Sequence, residues 1–146
     1  MTGTEGAHTP MPTPPDSFFA WKEEYCLHHA VIDKQHQQLV RLVGELHGSV
    51  VAGEPRQAHA QRLATLYIAA KAHFTTEEQL LRLHRYPRYL VHKAAHDGLA
   101  HALDGVREEV ATGKRELTLD YVELIQLWPV YHFGEFDAPC AQFLRD

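Results

Sequence analysis

Apolar residues recur at steps of three and four positions along most of the chain, which is the period of helices that bury one face. The pattern predicts helices over residues 31–51, 55–84, 89–111 and 117–132, separated by the short stretches AGEP, RYP and TGK, whose glycine and proline residues end helices. No segment shows the alternation of a half-buried strand. Because short connections make consecutive helices antiparallel, the chain is expected to be all-α, an up-down-up-down antiparallel four-helix bundle.

Chargeable residues stand within the apolar stripe of each predicted helix, where core side chains are expected. In the fourth helix, for example, the stripe of Tyr121, Ile125 and Trp128 continues to His132. The starts of the first and third helices lie at the same end of an antiparallel bundle as the ends of the second and fourth, so these residues are predicted to converge in one buried layer. The residues of this layer are His36, His73, Glu77, His92, His96 and His132.

The chemistry of this layer points to metal ions. Five imidazoles and a carboxylate are costly to bury without a partner, and no Lys or Arg falls beside them on the stripes. Residues four positions apart project from one helix face closely enough to hold one ion or two adjacent ions. Nitrogen and oxygen donors without thiolate suit iron, zinc, copper or manganese, and they outnumber the positions of one tetrahedral zinc, so two ions are indicated. A second carboxylate is then expected near His132, where HFGEFD offers Glu135 and Asp137.

The number of histidines carries less weight than their positions. The chain has 12 histidines in 146 residues, and at that density a pair four positions apart is expected about once by chance. A single pair of this kind is therefore weak support for a metal site. The coincidence of the histidines with all four apolar stripes is the stronger observation.

Composition and charge narrow the class of protein and its partners. With 45% hydrophobic residues, 23% charged residues and a net charge of −5, the chain has a globular composition without the basic stripe of a nucleic-acid-binding domain. No apolar run is long enough to cross a membrane, so neither nucleic acid nor membrane is an expected partner. Residues 1–17 are expected to be a disordered proline-rich tail and residues 18–146 one bundle domain. The pattern leaves open whether Cys26 and Cys140 pair, and free thiols in a cytoplasmic protein are the expectation.

Four segments together resemble the hemerythrin family, and more closely its single-domain bacterial members. They are IDKQHQQL with His36, HFTTEE with His73 and Glu77, YPRYLVHKAAH with His92 and His96, and WPVYHFGEFD with His132 and Asp137. The resemblance extends over about residues 18–140 and includes every ligand position of the family in order.

The resemblance implies a non-haem centre of two iron ions with a bridging oxide or hydroxide. One iron would be bound by His92, His96 and His132 and the other by His36 and His73, with Glu77 and Asp137 bridging the two. Such a ligand set leaves one position open on the iron with two histidines, as a small ligand such as dioxygen requires. The implied function is reversible binding of dioxygen for storage, delivery or buffering, rather than catalysis.

An apolar wall beside the open position is expected to exclude water from the bound ligand. The candidates for this wall are Leu39, Phe74, Trp128, Pro129 and Phe133. Pro129 departs from the family pattern, which usually has leucine there, and a proline at this place removes a helical hydrogen bond three residues before His132. The resemblance therefore implies a ligand pocket whose wall differs from that of its relatives.

Two other functions stay open at this point. One is an oxygen or redox sensor, in which the oxidation state of the iron changes surface contacts. The other is an enzyme with slow di-iron peroxide or nitric oxide chemistry. Ferritin-like oxidases use carboxylate-rich sites, whereas the donors here are mostly imidazoles with two carboxylates, which disfavours the enzyme.

Overall fold

The computed structural model describes residues 21–144, without the side chains of residues 24, 128, 130 and 135. Within that range the principal helices are α1 (Ala30–Val51), α2 (Arg56–Leu83), α3 (Tyr89–Thr112) and α4 (Leu119–His132). A 3-10 helix, Glu23–Tyr25, precedes α1, and a π-helical turn, Phe133–Asp137, leads from α4 into α5 (Ala138–Leu144). The described range contains no strand, which confirms the prediction of an all-α fold. The predicted tail, residues 1–17, lies outside the described residues.

The principal helices form the up-down-up-down bundle that the short connections predict. The helix α1 packs against α2 and α4, and α2 packs against α3. The predicted and observed limits of the first three helices agree within two residues. In α3, Gly113 adopts the left-handed conformation of a helix cap (φ 80°), as the stretch TGK predicted.

The start of α1 is fixed by side chains that accept hydrogen bonds from backbone N–H groups in the first turn and in the segment just before it. The carboxylate of Asp33 accepts hydrogen bonds from the backbone N–H of Leu27 at 2.7 Å and from that of His29 at 3.1 Å. The ring of His29 accepts a third from the N–H of Ile32 at 3.3 Å. These caps set the register of the first turn and so determine the direction in which His36, one turn later, projects.

Of the three apolar clusters among the described residues, the two largest lie at different heights in the bundle and leave a polar layer between them. The larger cluster, around Leu46, Leu63 and Val110, fills most of the bundle length, and a smaller one contains Leu81 and Leu144. Burial of these side chains is the main favourable contribution to folding of the bundle. The predicted histidine layer lies between the clusters, so the apolar packing on both sides holds it away from water.

The fourth helix corrects the sequence-based prediction in two ways. The predicted stripe contains Tyr121 and Ile125, which pack against the larger apolar cluster but are only half-buried, whereas Val122 and Gln126 are buried. Because α4 carries apolar residues on all sides, its periodicity does not define a face, and packing against α1 selects it. The helical path also does not end at His132 but continues through the π-helical turn and α5.

Two further expectations concern thiols and membranes. Cys26 and Cys140 are both free, and Cys140 is buried with its thiol donating to the carbonyl of Asp137 at 3.0 Å. Burial raises the pKa of the Cys140 thiol, and the nearby carboxylates raise it further. Among the described residues, no helix is both long and apolar enough to cross a membrane.

Candidate metal centre

Seven side chains from five elements meet in the polar layer between the two apolar clusters. Each is at most 2% exposed, and together they form two overlapping groups in which the candidate ligand atoms lie within 4.8 Å of one another. The residues are His36 from α1, His73 and Glu77 from α2, His92 and His96 from α3, His132 from α4 and Asp137 from the π-helical turn. The structure thus brings together every residue that the sequence resemblance implied as a ligand.

The first group contains two histidines on neighbouring helices. The Nε2 atoms of His36 and His73 are 3.1 Å apart, although the rings belong to different helices. The Oε2 atom of Glu77 lies 3.1 Å from Nε2 of His73, and the Oδ2 atom of Asp137 lies 3.0 Å from Nε2 of His36. Two imidazole nitrogens and two carboxylate oxygens therefore converge on one point.

The second group contains three histidines. The Nε2 atoms of His96 and His132 are 2.9 Å apart, and Oδ1 of Asp137 lies 2.9 Å from Nε2 of His132. His92 directs Nε2 at the same Oδ1 atom, at 3.1 Å, and contacts Oε1 of Glu77. This group therefore has three nitrogens where the first has two.

Each carboxylate divides its two oxygens between the groups. Glu77 directs Oε2 at His73 and Oε1 at His92, and Asp137 directs Oδ2 at His36 and Oδ1 at His92. A carboxylate with one oxygen directed at each of two sites is arranged to bridge two cations. The geometry therefore fits two adjacent ions rather than one.

The π-helical turn explains how Asp137 reaches the same layer as His132. In a regular α-helix, with about 3.6 residues per turn, residues five apart point in different directions, roughly 140° apart. Here the backbone N–H of Ala138 donates to the carbonyl of Phe133, five residues earlier, so the turn is wider. The widened turn reduces the angle between the two side chains. Both can therefore face the histidines of the other helices.

The donor atoms lack the hydrogen bonds that usually compensate the cost of burying polar groups. Both oxygens of Glu77, both oxygens of Asp137 and Nε2 of His92 have no hydrogen-bond partner of suitable geometry, although they are fully buried. Buried carboxylates without aligned hydrogen bonds are strongly unfavourable, and cations between the two groups would neutralise them more fully than the imidazoles do. The residues therefore fit a metal pair.

The electrostatic environment keeps the two carboxylates ionised. Burial would raise the pKa of Glu77, and the charge of Asp137 would raise it further, but the imidazoles of His73, His92 and His96 lower it to about 2. The pKa of Asp137 is likewise lowered, because its interactions with His132, His36 and His92 outweigh burial. Two anionic oxygen donors are therefore available at ordinary pH.

Two histidines of the larger group differ in their proton affinity in the metal-free protein. Burial would lower the pKa of His92, but Asp137 and Glu77 raise it to about 9. The pKa of His96 is lowered by burial, which outweighs its interaction with Glu77. His92 is thus the imidazole that must lose a proton before a metal ion can bind its Nε2.

The residues predicted to form an apolar wall lie on two sides of the centre. Phe133 stacks on the ring of His36, with ring centroids 4.0 Å apart, and Phe74 stacks on that of His96 at 4.2 Å. Leu39 belongs to the larger apolar cluster together with Phe74, and Pro129 is buried within α4. The side chain of Trp128 lies outside the described residues. The contact of these residues with a bound ligand stays a prediction.

Some neighbours of the centre were not singled out from the sequence. The side chain of Gln35 reaches the outer edge of His73 and is itself bonded to Thr76, and Phe136 stacks on His132 with ring centroids 5.4 Å apart. Gln35 and Thr76 immediately precede residues of the centre in the sequence, but adjacency alone does not indicate a contact between α1 and α2. Of the two acidic candidates after His132, Asp137 is in the layer, and the side chain of Glu135 is not described.

The sequence is similar to one family model and to individual proteins of the same family. Residues 27–135 match the family model described as the hemerythrin HHE cation binding domain. A bacteriohemerythrin of Aquifex aeolicus (strain VF5) is 28% identical over 117 residues, which are 79% of this chain and 88% of that protein. A myohemerythrin of Sipunculus nudus is 27% identical over 128 residues, which are 88% of this chain and 92% of that protein.

The likeness extends to three-dimensional structure. A crystal structure of wild-type hemerythrin superposes on this chain with a TM-score of 0.81 at 25% sequence identity. The superposition includes 86% of this chain and 96% of that one. The similar region therefore contains the whole bundle rather than a single pair of helices.

Proposed function

Because the chain belongs to the hemerythrin family, we propose that it is a non-haem di-iron protein that binds dioxygen reversibly, for storage, delivery or buffering. The observation that carries this proposal is the unequal division of five histidines into groups of three and two, with both carboxylates shared between the groups. Equal groups would leave both metal ions alike. Unequal groups leave the ion beside His36 and His73 with one ligand fewer, and an exchangeable ligand can occupy that position.

The residues of the two groups would hold two iron ions bridged by an oxide or hydroxide. Imidazole and carboxylate donors without thiolate suit iron, and two adjacent ferrous ions can together supply the two electrons that dioxygen takes up. Glu77 and Asp137 contribute two negative charges that offset the positive charge of the ions inside a water-poor core. Holding the donors on five packed elements fixes the spacing of the two sites.

The aromatic side chains against the histidines restrict access of water. Phe133 is 3% exposed and lies over His36, so it covers part of the group that has only two histidines. Tyr25 also contacts Phe133, with ring centroids 5.6 Å apart, and supports its position. Excluding water from this side would favour reversible binding over loss of electrons to solvent.

Binding, rather than catalysis, is the proposed role. The donor set is mainly imidazole, with two carboxylates, and differs from the carboxylate-rich sites of di-iron oxidases. In the structure, the carboxylates face the histidines and are held at low pKa, so neither is arranged as a general acid near neutral pH.

The test is metal analysis combined with visible spectroscopy of reduced and air-exposed protein. We expect about two irons per chain in protein produced with iron available, and absorption that appears with dioxygen and disappears when dioxygen is removed. One zinc per chain, or an absorption change that oxygen removal never reverses, would contradict the proposal.

A further inference from the structure

A chain of three hydrogen bonds connects α1 and α2 behind the group of two histidines. Nδ1 of His73 lies 3.0 Å from Oε1 of Gln35, and Nε2 of Gln35 donates to Oγ1 of Thr76 at 3.1 Å. The hydroxyl of Thr76 in turn donates to the backbone carbonyl of Ala72 at 3.0 Å. Gln35 and Thr76 are both half-buried, so these bonds are only partly open to competition from water.

The direction of these bonds determines which nitrogen of His73 carries a proton. The carbonyl of Ala72 can only accept, so the Thr76 hydroxyl donates to it and accepts from the amide nitrogen of Gln35. The amide oxygen of Gln35 is then the atom beside His73, and it can only accept. Nδ1 of His73 must therefore carry a proton, so the neutral ring that binds a metal ion has its Nε2 lone pair free and directed into the centre.

With the amide of Gln35 reversed, the opposite tautomer would result. The Gln35 nitrogen would then donate to Nδ1 of His73, and the proton would sit on Nε2, where it prevents metal binding. The bond from Thr76 to Ala72 disfavours this arrangement, because it commits the hydroxyl hydrogen elsewhere. Thr76 therefore acts on His73 only through Gln35.

Three of the four other histidines of the centre have no comparable support from described side chains. The Nδ1 atoms of His36 and His132 are buried without a hydrogen-bond partner, and Nδ1 of His96 lies 3.6 Å from Glu78, which is too long for a hydrogen bond. Unlike these three, His73 has an orientation that side-chain hydrogen bonds fix, and it belongs to the smaller group.

We propose that Gln35 and Thr76 are positioning residues that hold His73 in its metal-binding tautomer and set its donor strength toward the ion with two histidines. This inference rests on the proposed function only in taking that ion to be iron. A neutral amide stabilises the Nδ1–H group without withdrawing its proton, whereas a carboxylate would make the ring a stronger donor. The choice of glutamine therefore tunes the iron that is open to a ligand.

The first experiment compares matched variants of the iron-loaded protein. Gln35→Met and Thr76→Val remove the polar groups with little change of shape, and Gln38→Met and Thr75→Val make the same changes at exposed neighbours. We expect one of the two irons to pass to a chelator about ten- to a hundred-fold faster in the first pair than in the wild type, with no change in the second. Release rates of Gln35→Met equal to those of Gln38→Met would overturn the proposal.

The double variant Gln35→Met/Thr76→Val tests whether the two residues act in series. If Thr76 acts only through Gln35, the double variant should release iron no faster than Gln35→Met alone. Multiplied effects of the two substitutions would show that they act independently, and the hydrogen-bonded chain would be wrong as a description of their role.

The reduction potential of the iron distinguishes a positioning role from a merely structural one, because a structural role would not shift the potential in opposite directions in two variants. Gln35→Glu should lower the potential, because a carboxylate strengthens His73 as a donor to ferric iron, and Gln35→Met should raise it. Shifts of the same sign in both variants would contradict the proposal.

A zinc(II)-loaded, diamagnetic form separates this inference from the proposed function. In ¹⁵N-histidine-labelled protein, the Nδ1–H proton of His73 should exchange slowly with water in the wild type and rapidly in Gln35→Met. Slow exchange in both forms would overturn the role of Gln35 whatever the iron chemistry. Failure of the wild type to take up iron or dioxygen would instead overturn the proposed function and leave the exchange result to decide this inference.

Discussion

At the residue scale, the centre depends on two buried carboxylates whose charge the surrounding imidazoles compensate only in part. Glu77 and Asp137 are fully buried, and their oxygens have no aligned hydrogen-bond donor. Removing one partner of a buried charged network usually costs more than removing a surface charge, because the remaining charges lose their compensation. Single substitutions at these positions should therefore change both metal content and stability.

Replacement of Glu77 by alanine should release at least one iron per chain. The substitution removes one oxygen donor from each group and one negative charge from between two cations. Because metal binding contributes to the free energy of folding, the melting temperature should also fall. Metal analysis and thermal unfolding measure both effects.

The matched control is Glu108→Ala, which alters an exposed glutamate on α3. It should keep two irons and the wild-type melting temperature. If Glu77→Ala and Glu108→Ala had the same iron content, Glu77 would not be a bridging ligand.

Uptake of metal should release a proton from His92. The pKa of His92 is raised to about 9 in the metal-free protein, so the ring is protonated below that pH and neutral above it. A metal ion binds only the neutral ring, so at about pH 7.5 loading should release a proton from His92, and metal affinity should fall as the pH is lowered. Anaerobic ferrous titration calorimetry in buffers of different ionisation enthalpy measures the number of protons.

The variant His92→Gln supplies the comparison, since glutamine does not titrate. The wild type should release about one proton more per chain than this variant at the same pH. Equal proton release would show that His92 is neutral before metal binds.

At the scale of elements, the last helix departs furthest from regular geometry. Pro129 lies inside α4, where it cannot donate to the carbonyl four residues earlier, and a π-helical turn begins only four residues later. Both features lie beside His132, and π-helical turns occur often at functional sites. The backbone of this segment therefore controls the placement of two candidate ligands and part of the predicted pocket wall.

The substitution Pro129→Leu should slow autoxidation of the oxygenated protein. Leucine restores a backbone donor and places a larger apolar side chain at a buried position near His132, so water and small anions should reach the iron less easily. Stopped-flow mixing of reduced protein with oxygen, followed by the decay of the oxygenated absorption, measures the rate.

The same change at the exposed residue Pro139, in α5, is the control and should leave the rate unaltered. Equal autoxidation of the wild type and Pro129→Leu would make Pro129 a structural detail without effect on the ligand. Failure of both proteins to form an oxygenated state would remove the dioxygen-binding proposal itself.

At the scale of the whole molecule, stability is divided unevenly along the bundle. One part is held by the larger apolar cluster, around Leu46, Leu63 and Val110. The part with the seven polar residues has two buried carboxylates that lack aligned hydrogen bonds and that metal ions would neutralise. Removal of the ions should therefore loosen one end of the bundle more than the other.

Hydrogen exchange should detect this difference between the two ends. In metal-free protein, amides near His36, His92 and His132 should lose protection, whereas those near Leu46 and Leu63 should keep most of theirs. Restoring ferrous iron should restore protection at the metal end. A uniform loss of protection along all helices would instead mean that the bundle unfolds as one unit when metal is removed.

The sequence by itself determined the helical class, the approximate limits of three helices and the residues of the polar layer. These properties depend on local periodicity and on glycine and proline signals, which act within one helix. His73 and Glu77, one turn apart on an apolar stripe, must share a face of α2 whatever the helix packs against. The positions of such pairs could therefore be predicted before any contact between helices was known.

Tertiary structure decided what depends on the rotation of one helix against another. In α4, apolar residues surround the helix, so packing alone decides that Val122 and Gln126 are buried more deeply than Tyr121 and Ile125. The resemblance named Asp137, but its approach to His132 requires the π-helical turn, which no apolar period encodes. The bond from Gln35 to His73 likewise joins residues 38 positions apart. Contacts of this kind form only when side chains from different helices compete for the same volume, and local pattern does not contain that information.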